Sequence, residues 1–203
     1  MPKVSEEHLE QRRRQILDAA RRCFGRKGFH QTSMQDVFKE SGLSAGAVYR
    51  YFKSKEEIVR AIAVENQGLV TALLEEILNE ETLPPLEDVV GRFAARVESL
   101  LVHDGPLRLA PAGWVEAMHN PALSPTVREL LTDTREWWVK LAERMRDAGH
   151  LPADADPRAV GATLFCLVPG FVIQKLILED VDAAALRAGV GALTGRTRDR
   201  LRS

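Results

Sequence analysis

Between Ser33 and Lys55 the chain gathers hydroxyls, cations and very small residues in an order suited to holding a polyanion. Ser44-Ala45-Gly46-Ala47 carries nothing larger than a hydroxymethyl, so its backbone can approach a partner closely. Tyr49, Arg50, Tyr51 and Lys53 follow at once, with Lys55 two residues beyond. Phenol, guanidinium and ammonium groups are donors that grip phosphate oxygens. Lys55 falls in the first turn of a following helix, where N–H groups without intrahelical acceptors also favour anions. Val48 and Phe52, four apart, provide an apolar anchor behind the exposed face.

Such groups need a rigid mount, and the pattern supplies helices. Ile16, Leu17, Ala20, Cys23 and Phe24 form one apolar stripe over residues 10–27, and Gly28 is the expected C-terminal cap. Ser33 caps a short helix holding Val37 and Phe38, which Gly42 ends. Ser44 caps a second short helix, Ala45 to Phe52. Ser54-Lys55-Glu56-Glu57 reads as a capping box opening a long helix to about Glu80. Two short helices joined by a tight glycine turn, after a longer supporting helix, make a helix-turn-helix, whose second helix enters the DNA major groove.

Beyond Leu83-Pro84-Pro85 the pattern stays helical: about 86–102, a shorter segment with Trp114, Val115 and Met118, and a long helix from Ser124-Pro125 to Gly149. Asp156-Pro157 opens another, to about Glu179, and Asp182 opens the last, fading near Gly195. Pro169 should kink the first of these two. The basic tail Arg196–Ser203 is expected to fray. No segment alternates as a strand. The expectation is an all-α chain of about nine helices.

Composition narrows the class. Hydrophobic residues at 45% and charged residues at 28% argue against disorder. Two cysteines are too few for a disulfide scaffold. The uncharged run Ala159–Ile173 has 15 residues, short of the ~20 that span a bilayer. The N-terminal charges have no apolar core behind them, so no secretory signal is read and a cytoplasmic location without membrane partners is expected. The net charge of −1 hides an asymmetry: residues 1–60 hold 13 basic against 8 acidic residues, leaving the remainder at −6. A basic head on an acidic body points the head alone at nucleic acid.

The segment Arg14–Ile62 resembles the TetR family of bacterial transcriptional regulators. Phe24-x-x-x-Gly28, Thr32-Ser33 at a helix start, the run Gly42-Leu43-Ser44-x-Gly46-x-Val48-Tyr49-x-Tyr51-Phe52 and then Lys55-Glu56-Glu57 carry the likeness as an ordered set. The resemblance implies a homodimeric, usually repressing protein that binds an inverted-repeat operator in double-stranded DNA and is released by an effector held in a C-terminal bundle. It implies domains of 1–53 for DNA binding and 54–203 for ligand binding and dimerisation, linked by the helix 54–80. Ser33, Tyr49, Tyr51 and Lys55 match phosphate contacts, Gln35, Ala45 and Ala47 match base-facing positions, and Gly46 matches the closest approach. Ser44, Arg50 and Lys53 complete the expected DNA-binding set. Phe38 and Ser41 stand where alanine is usual, so the packing of the head helices should differ. Ala45 and Ala47 offer only methyl contact, which leaves polar readout to Gln35 and Arg50 and a larger share to DNA shape.

In the C-terminal region Phe93, Trp114, Met118, Trp138, Met145 and Phe165 are the expected effector-lining residues, and they favour a small apolar or aromatic molecule. The same residue types also build plain bundle cores. By resemblance the last two helices pair with their copies, with Ala162, Phe165, Cys166, Pro169, Leu186 and Val190 at the dimer interface. The run from Ala159 agrees, because a helix apolar all round must be buried all round, either by a second subunit or inside its own chain.

Catalytic readings fail on spacing. Glu116-x-x-His119 is a single motif where a di-metal bundle needs two. Cys23 and Cys166 have no C-x-x-C partner and read as core, with a thiol-sensor role for Cys166 the alternative. Gly189-x-Gly191-x-x-x-Gly195 has the wrong spacing for a nucleotide loop. No catalytic residue, metal site or cofactor is expected. The rival from another class is a helical ligand- or protein-binding module without specific DNA recognition.

Overall fold

A computed structural model describes residues 6–102 and 105–195; the basic tail Arg196–Ser203 and the first five residues lie outside the described part. Among the described residues there are nine α-helices and no strand. They are α1 (Glu6–Gln31), α2 (Met34–Ser41), α3 (Ala45–Tyr49), α4 (Lys55–Leu78), α5 (Leu86–Leu100), α6 (Ala110–His119), α7 (Ser124–Asp147), α8 (Pro157–Ile177) and α9 (Ala183–Leu193). A single 3-10 turn, Pro106–Leu109, precedes α6.

The caps explain most of the boundaries. Ser33, Ser44, Asp156 and Asp182 each accept a first-turn backbone N–H with the side chain. Gly42 ends α2 in the left-handed conformation at φ 67°. Two expectations change. The second short helix stops at Tyr49, because the Tyr51 and Phe52 N–H groups both turn back onto the Val48 carbonyl, at 2.9 and 3.0 Å. Gly28 does not end α1 in a left-handed cap but breaks it at φ 76°, ψ 169°, a backbone region open essentially to glycine. The chain then completes one more turn, and buried Thr32 ties it down with a hydroxyl bond to the Gly28 carbonyl, 2.7 Å. Pro169 leaves α8 unbroken over its 21 residues.

The chain divides into two compact units. The first runs from α1 to Glu65 and adds Leu109–Arg128, so α6 packs with the head helices. Its core is Ile16, Leu17, Ala20, Phe24, Val37, Val48, Phe52, Ile58 and Ile62. The second takes Asn66–Arg108 and Glu129 to the end of α9. There Val89, Val90, Phe93 and Val97 of α5 are buried, as are Trp138, Leu141 and Met145 of α7 and Phe171 of α8. Two glycines set its close crossings. A Cβ on Gly161 would lie 2.7 Å from the Val139 backbone, and one on Gly91 would lie 2.9 Å from Arg187 Cβ. Arg144 gathers the carbonyls of Ile77, Leu78, Glu80 and Glu81, satisfying the acceptors that the end of α4 leaves open.

α8 is long and apolar enough to cross a membrane by length and composition alone. It is not interior to its own chain: Cys166, Ile173 and Ile177 are exposed, Ile177 at 72%. Cys23 fulfils the core expectation and Cys166 does not. The reason is that an apolar run records that burial is needed, not which chain provides it.

Candidate nucleic-acid interface

The α2–turn–α3 unit is built from short-range bonds. The Ser33 hydroxyl accepts from the Asp36 N–H at 3.2 Å, while the Asp36 carboxylate accepts from the Ser33 N–H at 2.9 Å, a complete capping box. Lys27 adds an ion pair to Asp36 at 2.7 Å. Lys27 first, then the Ser33 N–H and hydroxyl, holds the Asp36 carboxyl well below the usual carboxylate range. Ser44 accepts from the Ala47 N–H at 3.3 Å. Val48 has no exposed surface and plugs α3 into the head core.

This leaves one face of α3 open. Ser44, Ala45, Gly46, Tyr49 and Arg50 are exposed, Ala47 is half-buried, and Gln35 is exposed on α2. Nothing lies within 4 Å of where a Gly46 Cβ would stand, so the tip of α3 is open to close approach. Tyr51 is half-buried with its ring packed on the head core. Tyr49 is held from the side by Phe38, ring centroids 5.3 Å apart at 70°. Phe38, one of the two departures from the family pattern, makes this edge-to-face contact. The Ser41 hydroxyl, the other departure, donates to the Phe38 carbonyl at 3.1 Å.

The cations sort into two groups. Those of α1 are largely neutralised: Arg13 and Arg21 reach Glu65 at 2.8 and 2.7 Å, and Arg22 and Arg26 share Glu40. Arg26 foremost, then Arg22, holds the Glu40 carboxyl below its ordinary value. Arg14 pairs with Glu10 and Arg12 donates to Gln15, so the Arg12–Arg14 run is engaged within its own helix and with α4. By contrast Lys39, Arg50, Lys53 and Lys55 have no carboxylate partner among the described residues. Lys53 donates to the Tyr49 carbonyl and closes the end of α3. Its own N–H binds Glu57, whose N–H binds the Ser54 hydroxyl, so the expected box at Ser54 closes one residue early.

Lys55 does work that sequence reasoning missed. Its ammonium donates to the Phe29 and Thr32 carbonyls at 2.6 and 3.0 Å and lies 4.1 Å from the Phe29 ring centroid. It closes the chain after Gly28 and retains one N–H for another acceptor. These contacts span more than twenty residues, and no local pattern encodes them.

The other expected sites are divided. Phe93 and Trp138 meet edge to face at 4.8 Å and line a small apolar cavity with Val90, Val97, Leu167, Phe171 and others. Trp138 is 1% exposed, and its indole N–H has no acceptor among the described residues. Met145 is core on α7, and Phe165 is half-buried on α8. Trp114 and Met118 lie in the first unit, with Met118 76% exposed, so neither lines this cavity. Of the residues expected at a dimer interface, Ala162, Phe165 and Pro169 are half-buried and Cys166 is exposed. Leu186 and Val190 serve the chain's own packing, Leu186 in the cavity wall and Val190 buried. Glu116 is buried and binds His30 at 2.9 Å and Asn120 at 3.0 Å, not His119. Among the described residues no cluster of three or more His, Cys, Asp or Glu could hold a metal ion.

The sequence profile of bacterial regulatory proteins of the tetR family matches residues 16–62, and the profile of the BetI-type transcriptional repressor C-terminal region matches 92–198. The chain belongs to the TetR family of bacterial transcriptional regulators. TetR regulators join a helix-turn-helix head to a C-terminal ligand-binding domain, the all-α architecture seen here. The chain is 54% identical over 188 residues to the HTH-type transcriptional regulator YfiR of Bacillus subtilis, covering 90% of this chain and 88% of that one. Among solved TetR-like structures, Salmonella enterica GusR superposes with a TM-score of 0.78 at 26% identity, over 96% of this chain and 100% of that one. The SmeT–triclosan complex superposes with a TM-score of 0.75 at 25% identity, over 90% and 91%.

Proposed function

We propose that the protein is a ligand-released repressor that binds an inverted-repeat operator as a homodimer. The observation that carries this reading is the open face of α3: small residues at its tip, the Tyr49 hydroxyl and the cations of Arg50 and Lys53 beside it with no carboxylate partner among the described residues, and a fully capped mount behind. Gly46 permits the closest approach, Ala45 and Ala47 offer methyl contact to thymine, and Gln35 with Arg50 reads base edges. Tyr49, Tyr51, Lys53 and the remaining N–H of Lys55 take phosphates, with Ser33 and Ser44 holding the two helices in register. The BetI-type repressor match favours repression, and the work would take place in the bacterial cytoplasm.

The exposed apolar side chains of α8 support subunit pairing through that helix, around Ala162, Phe165, Cys166 and Pro169. Two-fold symmetry then sets two recognition helices about 34–36 Å apart, one DNA turn, or a multiple of it. An effector that binds better to a state with the wrong spacing lowers DNA affinity by the same coupling factor. Tilting of α4 is the proposed link. Phe93 and Trp138 favour an aromatic or apolar effector, and the unpartnered indole N–H of Trp138 suits one hydrogen-bond acceptor on it. That SmeT binds triclosan is consistent with such a molecule.

The test is in vitro selection on random duplex DNA at about 150 mM salt, where nonspecific phosphate binding is already weakened. An enriched inverted repeat is the expected result. Folded, dimeric protein that enriches nothing overturns the operator reading and favours the ligand- or protein-binding module.

A further inference from the structure

We propose that Phe38 is a positioning residue for DNA recognition, acting through Tyr49. This rests on the reading of Tyr49 as a phosphate contact. Phe38 sits near the end of α2 and packs against the head core formed by Val37, Val48 and its neighbours. Its ring also meets Tyr49 at 5.3 Å and 70°, the edge-to-face arrangement that aromatic quadrupoles prefer. Tyr49 is the last residue of α3 and is 41% exposed. A tyrosine at that exposure would ordinarily sample several rotamers. Here one flank of its ring is held, while its hydroxyl makes no hydrogen bond among the described residues.

The backbone around the pair is fixed as well. The Ser41 hydroxyl ties the Phe38 carbonyl, and Lys53 ties the Tyr49 carbonyl. Phe38 therefore connects the support helix to the recognition helix through a side chain at the DNA-facing edge, independently of the buried Val48 anchor. A phenol held in one orientation gives up less conformational freedom when it takes a phosphate. In this scheme a smaller residue at 38 frees the phenol while the buried Val48 still anchors α3. Phe38 touches no DNA in this scheme; it lowers the ordering needed by the residue that does.

The experiment is a double-mutant cycle on operator binding, using the duplex recovered by selection and comparing F38A, Y49F and the double variant. F38A is expected to weaken binding about tenfold, the size of an aromatic-pair effect repeated in two half-sites. Y49F is expected to weaken it by a similar factor, and the double variant little further, because the positioned hydroxyl is already gone. F38L, which keeps the apolar volume, guards against loss of folding and should also weaken binding without loss of the dimer. Additive losses overturn the inference, since a purely structural effect of Phe38 costs the same with or without the hydroxyl. An unchanged affinity in Y49F removes the Tyr49 contact itself and the role of Phe38 with it.

Discussion

The Lys55 ammonium has three N–H bonds and uses two of them inside the head, on the Phe29 and Thr32 carbonyls. Hydrogen bonds from a charged donor contribute more than neutral ones, so K55M should lower the stability of the free protein by about 1.5–3 kcal/mol. Urea unfolding without DNA measures this, and an unchanged midpoint would show the ammonium to be dispensable to the fold. Asp36 makes a pH prediction. Its carboxyl is depressed by Lys27 and Ser33, so its stabilising contribution is fully present above the ordinary carboxylate value of about 3.9. It is lost as pH falls through the depressed value in strongly acid solution. Between pH 5 and pH 2 the wild-type midpoint should fall more steeply than that of D36N. Neither role was equally legible beforehand. Ser33 and Asp36 are three apart and their box is a local pattern, whereas Lys55 finds its partners 26 and 23 residues away.

Among the elements, caps and breaks were readable because each depends on a side chain and the backbone within one turn. Ser33, Ser44, Asp156 and Asp182 all behave so. What a helix face packs against was less readable. Trp138 and Met118 are both large, apolar and at helical spacing, yet one is buried on α7 and the other is exposed on α6. Their residue types state a preference for apolar surroundings but not which surroundings the fold provides. Glycine at a crossing has the same ambiguity: Gly161 lies in the apolar run from Ala159, whose pattern leaves open which chain buries it, and it sits against Val139 of its own chain. A methyl at Gly161 would lie 2.7 Å from that backbone, so α7 and α8 must separate to admit it. G161A should therefore cost about 1–3 kcal/mol despite its better helix propensity. Thermal unfolding decides this, and a stabilised variant would mean that the crossing has slack.

For the whole molecule, the charge asymmetry of the sequence overstates the positive surface available to DNA. Eight of the head's 13 basic residues are arginines, and Arg13, Arg21, Arg22 and Arg26 are bound to Glu65 or Glu40. On and directly after α2 and α3, Lys39, Arg50, Lys53 and the spare N–H of Lys55 have no carboxylate partner among the described residues, while Arg12 and Arg60 donate to Gln15 and to the Ala122 carbonyl. For the proposed dimer that recognition face gives roughly six to eight cations and a salt slope of log affinity no steeper than about −5 to −7. Fluorescence anisotropy across salt concentrations reads this slope, and a value near −10 would show that the α1 ion pairs open on DNA. The pairing has a further consequence in a cell. A chromosome offers phosphates everywhere, and a strongly basic head would linger on all of them. A head with most of its α1 arginines already paired would leave arbitrary sequence sooner, and more of its copies would travel through solution between encounters. For the operator binding proposed above, occupancy would then follow the number of molecules made, with little drain into the surrounding genome.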